Sequence, residues 1–374
     1  MPELDPNDLI QMVRIGGIDS TALGDREIPI NKFTTRLLSK ARENAKRDTC
    51  YLCKKPCTSF CNSHSIPKFT LLNVADKGKV IATLQQEIPL LGKDTGVNKA
   101  GTFRIICREC DSKVFKDYET PERYSEVPTD KMLAQIALKD YLRMLSRRLE
   151  EKEFYKLLGQ RFPKNKGYAD EKEFIGEYDL VDFQRGFIHA YKALTKNNGP
   201  YYHLYFYTVL DYVVPFAAQS PIIMVGDLED CVINDIYNFT SDYRQESIHF
   251  AVFPLKTRSV VAVFAEQGQK RYRKFFKQFR KLTFEDQLAT INYILFAYTE
   301  NIFLSGQIAE SVQENPQFMD VCRMASDVHS PMLFDDPLPT AIRNLSLSKR
   351  NTIPNLLSRE YSLGEVSKHK TSEK

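Results

Sequence analysis

The sequence predicts an α+β protein in which an N-terminal cysteine-rich module and a C-terminal mixed α+β domain are joined by a long helix. Six of the eight cysteines fall between residues 50 and 110, and four of those form two C-x-x-C pairs. Apolar residues at helical spacing start near Asp130. Aromatic and β-branched runs typical of strands cover residues 201–214, 248–253 and 259–264, and residues 254–258 between the last two predict a hairpin. A chain of 374 residues is long enough for two or three domains.

The expected boundaries follow from these patterns. A polar break at residues 161–170, with Pro163 and Gly167, ends the long helix. Thr129 is placed to cap that helix, and Thr283 with Asp286 three residues later predicts a second capped helix. The predicted units are an N-terminal extension (1–30), a zinc-binding module (31–125), a helical connector (126–165), an α+β domain of unknown role (166–345) and a flexible basic tail (346–374).

Composition and charge exclude several classes. No run of about 18 apolar residues occurs, so we expect no membrane span. The acidic start lacks the apolar segment of a secretory signal, which favours a cytoplasmic protein. The net charge of +4 hides two basic islands. Residues 30–70 carry nine basic and two acidic side chains, and residues 269–281 carry seven basic and no acidic ones.

The cysteine pairs predict a structural zinc site. A C-x-x-C turn directs two thiolates to one point, and two such turns supply the four ligands of tetrahedral zinc. In a cytoplasmic chain such pairs more often bind metal than form disulfides. The predicted ligands are Cys50, Cys53, Cys107 and Cys110. The open alternative is a ligand set in which Cys57, Cys61 or His64 replaces one pair. Cys231 and Cys322 stand alone in apolar surroundings and are interpreted as core residues.

The order of the motifs between the two cysteine pairs resembles that of a known protein family. His64 and Pro67 follow the first pair in the text Ser-His-Ser-Ile-Pro, and an apolar strand leads into Cys107-x-x-Cys110-Asp111. Over residues 50–120 this resembles the HNH endonuclease family. The resemblance implies a zinc-stabilised, treble-clef-like ββα-metal module in which His64 is the general base and Asp111 holds catalytic Mg²⁺ or Mn²⁺. Ser63 and Thr102 stand where the family has Asp and Asn.

The implied activity is hydrolysis of DNA phosphodiester bonds, as in a restriction or phage-defence effector, with RNA as an alternative substrate. The competing interpretation is a catalytically degenerate zinc module that binds nucleic acid or protein. In that case His64 pairs with Cys61 as a zinc ligand, and Asp111 is an ordinary first-turn acid of a helix. The sequence leaves both interpretations open, together with the role of the C-terminal domain and the oligomeric state.

The basic islands predict contacts to nucleic-acid phosphates, because clustered cations release counterions from the backbone. In the second island Tyr272, Phe275, Phe276 and Phe279 have helical spacing, so a core helix with a solvated basic face is the alternative. Asp227, Glu229, Asp230 and Asp235 are interpreted as a solvated loop rather than a metal site. The predicted nucleic-acid-binding residues are Lys54, Lys55, Lys68, Arg271, Arg273, Lys274 and Lys277.

Overall fold

The strands and helices of the chain are seen in a computed structural model, which describes residues 27–82, 94–163, 166–196, 199–308, 310–328 and 335–364. The strands are β1 Ser63–His64, β2 Lys79–Ala82, β3 Asp94–Gly96, β4 Thr102–Phe103, β5 Tyr202–Leu210, β6 Phe216–Ile222, β7 Ile248–Pro254, β8 Ser259–Glu266 and β9 Ile302–Leu304. The helices are α1 Glu27–Asn44, α2 Lys68–Val74, α3 Arg108–Val114, α4 Asp130–Arg161, α5 Lys166–Thr195, α6 Arg273–Phe279, α7 Phe284–Tyr298, α8 Glu310–Gln313, α9 Pro316–Val328 and α10 Pro337–Asn344.

One antiparallel sheet organises the chain, which confirms the α+β class. Within the described residues it has seven strands in the order β3-β2-β9-β6-β7-β8-β5, and β1 pairs separately with β4. The predicted hairpin at residues 254–258 is present, since Pro254 of β7 pairs with Ser259 of β8. Strands β2 and β3 come from the predicted module 31–125, whereas β5–β9 come from the predicted domain 166–345. The two segments therefore share a sheet.

Each face of the sheet buries its own core. Ala251, Phe253 and Phe264 face a cluster formed with the cysteine-rich segment, α4 and α5. Phe250, Val252 and Val263 face the opposite cluster, which α6, α7, α9 and the C-terminal segment complete. Side chains alternate between the faces of a strand, so both clusters draw on the same strands. The chain is therefore layered, and the sheet separates the cysteine-rich segment from α6.

The long helix is α4, and it begins where the sequence predicts. The Thr129 hydroxyl accepts a hydrogen bond from the backbone N–H of Met132 and caps it. The predicted polar break is the connection to α5, which runs back along α4. Arg148 pairs with Asp179, and Lys152 pairs with Glu177. None of the described helices combines the length and the apolar character needed to cross a bilayer.

The C-terminal tail differs from the expected flexible segment where it is described. Residues 346–364, part of the predicted flexible tail, bury Leu347, Leu356 and Leu357 in the second core cluster. The backbone N–H of Leu356 donates to the Asn292 side chain at 3.0 Å, which attaches this segment to α7. Burial of three leucines orders a segment whose composition is polar and basic. Residues 1–26 and 365–374 lie outside the described residues.

Candidate metal centre and the adjoining polar cluster

The four cysteines of the predicted zinc site lie together. Their sulfur atoms are all within 4.8 Å of one another, and the Cys53 and Cys107 sulfurs are 4.0 Å apart. Tetrahedral zinc with bonds of about 2.3 Å places its sulfurs about 3.8 Å apart, so the cluster fits such an ion. Among the described residues, no other group of three or more His, Cys, Asp and Glu side chains is close enough to share a metal. The chain therefore contains a four-cysteine site that could hold a metal such as zinc.

Two short backbone segments position these thiols. Cys50 and Cys53 lie on a tight turn, in which the Lys54 N–H donates to the Cys50 carbonyl at 2.9 Å and Lys54 adopts a φ of 60°. Cys107 is the N-cap of α3, and Cys110 lies in the first turn of that helix. The Tyr51 N–H donates to the Ile105 carbonyl at 2.9 Å, which holds the two segments side by side.

The thiols differ in their tendency to ionise. Burial opposes ionisation of Cys50, but backbone N–H groups of Cys107, Cys53 and Leu52 point at its sulfur and lower its pKa to about 7. Burial and the neighbouring thiols raise the pKa of Cys110 far above its usual range. Such a crowded set favours a cation that replaces the thiol protons.

The two remaining cysteines of this segment are not part of the cluster. Burial, followed by the nearby Asp111 carboxylate, raises the pKa of the Cys61 thiol to about 12. Cys57 donates its S–H to the Ser59 carbonyl at 3.1 Å. Of the cysteines outside the segment, Cys322 is buried as predicted, whereas Cys231 is exposed. Cys231 lies on a loop, where its sulfur accepts a hydrogen bond from Lys274 at 3.0 Å.

A polar cluster adjoins the thiols on the side of β1. The Ser63 hydroxyl donates to the Asp111 carboxylate at 2.5 Å, so β1 and α3 bring these residues together across 48 positions of sequence. The Lys139 ammonium of α4 donates to the same Asp111 oxygen at 2.8 Å and to Ser63 Oγ at 2.9 Å. It also lies 3.1 Å from Glu119, and Phe115 offers its ring face at 3.8 Å.

The Lys139 ammonium is completely enclosed. Its side chain is 0% exposed, and its three N–H donors meet three oxygen acceptors. Burial opposes ionisation of Asp111, but Lys139 and the hydroxyl of Ser63 outweigh it and lower the pKa of this carboxyl. For Glu119, which lies farther from the ammonium, burial dominates and raises the pKa. The cluster is thus a buried cation shared unequally by two carboxylates.

His64 has a defined orientation. Its Nε2 lies 3.0 Å from the Val97 carbonyl, which can only accept a hydrogen bond, so Nε2 carries the proton. Nδ1 is then the basic nitrogen. Burial is the main cause that lowers the pKa of His64, so the ring is neutral near pH 7. Thr102, opposite His64 on β4, donates to the Lys99 carbonyl at 3.3 Å.

The predicted nucleic-acid-binding residues occupy two separate layers. Lys54, Lys55 and Lys68 are exposed on the cysteine-rich side. The second basic island, residues 269–281, begins as a turn and becomes helical at Arg273. In the turn the Arg271 N–H donates to the Glu246 carboxylate at 2.9 Å. It continues as α6 on the opposite side, with Phe275, Phe276 and Phe279 in the core and Arg273, Lys274 and Lys277 exposed.

The carboxylate-rich loop at residues 227–235 has a structural role. Asp227 is buried and accepts hydrogen bonds from the backbone N–H groups of Glu229 and Cys231. Lys274 lies 2.8 Å from Glu229 and 3.3 Å from Asp227, which neutralises part of the island.

Sequence reasoning missed Lys139 and Glu119. A signal for Lys139 exists, because it lies in a run of α4 that is otherwise mostly apolar and buried from Met132 to Leu142.

Comparison with models of protein families, with curated proteins and with solved structures finds no match to this chain.

Proposed function

We propose that the chain is a zinc-supported nucleic-acid-binding protein whose N-terminal module has a treble-clef-like ββα-metal architecture but does not cleave. The observation that carries this proposal is the position of the Lys139 ammonium between Asp111, Ser63 and Glu119. In the HNH family, which the sequence resembles, the position of Asp111 binds the catalytic divalent ion. Here a side-chain cation neutralises that carboxylate.

Electrostatics oppose a second cation at this carboxylate. A divalent ion bonded to Asp111 at about 2.1 Å would lie within roughly 6 Å of the ammonium. At an effective dielectric constant of about 20, the repulsion between them is roughly 5 kcal/mol. Ser63 also supplies a neutral hydroxyl where the family has a second carboxylate, so the ligand set is poor for Mg²⁺ or Mn²⁺.

The nucleic-acid part of the proposal rests on exposed cations that form no ion pair among the described residues. Lys54, Lys55 and Lys68 are exposed and form no ion pair within the described part of the chain. The same holds for Arg273 and Lys277 of α6. Phosphate groups are the common ligand of such clusters, and their binding is sensitive to salt.

One observation keeps an active HNH-like endonuclease as a second candidate. The hydrogen bond from His64 Nε2 to the Val97 carbonyl leaves Nδ1 able to accept a proton from water. A general base needs that orientation and a neutral ring. This candidate requires that a divalent ion displace Lys139 from Asp111.

A cleavage assay separates the candidates. Purified protein is incubated with plasmid DNA and with single-stranded DNA and RNA, each with Mg²⁺ or Mn²⁺, beside the His64→Ala variant. We expect salt-sensitive binding and no cleavage by either protein. Cleavage that His64→Ala abolishes would establish the endonuclease instead. Absence of binding even at low salt would refute the nucleic-acid part of the proposal.

A further inference from the structure

The edge of the sheet at β5 and the adjacent helix α6 form a surface that combines exposed cations with aromatic rings. We call it the β5–α6 surface. We propose that this surface binds single-stranded nucleic acid through its phosphates and its bases. The proposal rests on the nucleic-acid-binding function proposed above and names its ligand and its site. The residues of the surface are His203, Tyr205, Phe206, Arg273, Lys277, Arg280, Lys281 and Phe284.

The cations of this surface are unneutralised. Arg273, Lys277, Arg280 and Lys281 are exposed, and within the described part of the chain none of them forms an ion pair. Lys274 on the same helix differs, because Glu229 and Asp227 hold it. The apolar face of α6 is buried in the core, which fixes the direction in which these cations project. Four cations on α6 and the residues directly after it create a field that attracts phosphate.

A β-bulge adds the aromatic rings. The pairing of β5 with β8 shifts between Leu204 and Phe206. In a regular strand Tyr205 and Phe206 would point to opposite faces, but here both rings contact α6. Tyr205 stacks on Phe276 with ring centroids 3.7 Å apart, and Phe206 contacts Phe279 at 5.7 Å.

The row of rings continues to the solvent. The exposed His203 ring lies 4.4 Å from Tyr205, and Phe284 lies 6.5 Å from Phe206 and is 45% exposed. Burial raises the pKa of the Tyr205 hydroxyl, and of the charged groups near it Arg273 and Arg280 lower that pKa whereas Glu246 raises it. Two of the cations, Arg273 and Arg280, thus lie near a ring of this surface.

This combination favours single strands over duplexes. The bases of a duplex are stacked on one another, so exposed protein rings gain nothing from them, whereas unpaired bases stack on such rings. The position of β5 also leaves space, since it is the last strand of the sheet and its outer edge has no strand partner among the described residues.

The cations also argue against a second copy of the chain as the occupant of this surface, because two such surfaces would repel each other. Two acidic side chains lie at this corner. Glu285, next to Phe284, is exposed and forms no ion pair within the described residues, and Glu246 accepts hydrogen bonds from the backbone N–H groups of Lys270 and Arg271.

Fluorescence anisotropy with labelled oligonucleotides tests the proposal on the full-length protein. The probes are oligothymidine, a matched duplex and an abasic strand of the same length. We expect oligothymidine to bind at least tenfold more tightly than either of the other probes. Phe284→Leu should weaken oligothymidine binding about fivefold or more, the lower end of the stacking contribution of one base.

The double variant Lys277→Gln with Arg280→Gln should lower the slope of log K against log salt by about 1.4, since each lost phosphate contact on a single strand contributes about 0.7. Matched controls are Lys274→Gln, whose charge is already neutralised on the same helix, and Phe174→Leu, an equally exposed ring on α5. Both should bind as the unmodified protein does. Thermal unfolding verifies that all variants are folded.

Three results would overturn the proposal. Equal affinity for duplex and single strand, with no effect of the surface variants, would refute this site while leaving nucleic-acid binding in place. Absence of binding to every probe would refute both. A dimer that Phe284→Leu dissociates would assign the surface to a second copy of the chain.

Discussion

Lys139 is the residue on which the proposed loss of cleavage depends. Replacing it by alanine leaves the Asp111 and Glu119 carboxylates without their cation, and breaking such a buried pair costs about 3–5 kcal/mol. We expect Lys139→Ala to lose that much free energy of unfolding in urea titrations. Lys131→Ala is the control, because the Lys131 side chain is 63% exposed where it pairs with Asp117, and such a pair contributes less than about 1 kcal/mol.

The same variant tests whether the ammonium takes the place of a metal ion. Removing it frees two carboxylates that prefer a hard divalent cation. Millimolar Mn²⁺ should therefore stabilise Lys139→Ala against urea and leave the unmodified protein unchanged. An equal effect of Mn²⁺ on both proteins would show that Lys139 does not occupy a cation site.

His64 makes stability depend on pH. Burial lowers its pKa in the folded chain, so the unfolded chain binds more protons between that value and about 6.5. Stability is then fully present above about pH 6.5 and falls as the pH decreases through this window. We expect a smaller fall for His64→Gln, measured as the free energy of unfolding between about pH 5 and 7. Identical slopes for both proteins would contradict the assignment of this ring as neutral.

At the scale of single residues, the spacing of the cysteines predicted the thiol cluster, but no spacing in the sequence predicted the position of the Lys139 ammonium. A C-x-x-C turn fixes two sulfurs locally, so Cys50 and Cys53 could be assigned without knowledge of the fold. Lys139 meets Ser63 across 76 positions and Asp111 across 28. A lysine in a helix is normally solvated, and only the packing of α4 against β1 and α3 makes this one a ligand of carboxylates.

Among the elements, the turn at Cys50 and the helix α3 depend on each other through the thiol cluster. We expect the unmodified protein to contain stoichiometric zinc and Cys110→Ser to lose it, as measured by elemental mass spectrometry of dialysed protein. The loss should also lower the unfolding temperature, since binding a structural ion stabilises the folded state. Cys57→Ser should retain zinc, because that thiol donates to the Ser59 carbonyl outside the cluster. Zinc loss in both variants would move Cys57 into the ligand set.

Elements with strong local signals were predicted, and those stabilised by distant partners were not. Thr283 accepts a hydrogen bond from the Asp286 N–H at 3.1 Å and begins α7, as the capping pattern predicts. Strand β6 escaped prediction because it contains Gln219, Ser220 and Pro221. These are poor strand residues, but Gln219 is buried and donates to Asp140 of α4 at 2.8 Å. The strand is therefore specified by tertiary contacts rather than by its own propensity.

At the scale of the whole chain, the cysteine-rich segment and the C-terminal half share more than the sheet. The Ser65 hydroxyl donates to Asn301 at 2.8 Å. The Asn301 amide donates in turn to the Gln219 carbonyl at 2.6 Å. From there the chain of buried hydrogen bonds continues through Asp140 to His249. Such a network, with β2 paired to β9, predicts that the two halves unfold together.

Gly101 provides the test of this coupling. It has a φ of 61°, and an added Cβ would lie 2.6 Å from Phe303 of β9 and 2.6 Å from Ser65. Gly101→Ala combines the cost of a left-handed residue with overpacking, so we expect a loss of about 2–4 kcal/mol in free energy of unfolding. Gly96→Ala is the control, because no atom lies within 4 Å of its added Cβ and its φ is not positive.

The unfolding of Gly101→Ala is followed in urea by far-ultraviolet circular dichroism and by zinc release to a colorimetric chelator. If the halves form one cooperative unit, both signals shift to lower urea together and remain coincident. A substitution at the junction then weakens the zinc site and the distant helices equally, because neither half persists without the other. Zinc release that precedes the loss of helical signal, in the variant or in the unmodified protein, would show instead that the cysteine-rich segment unfolds on its own.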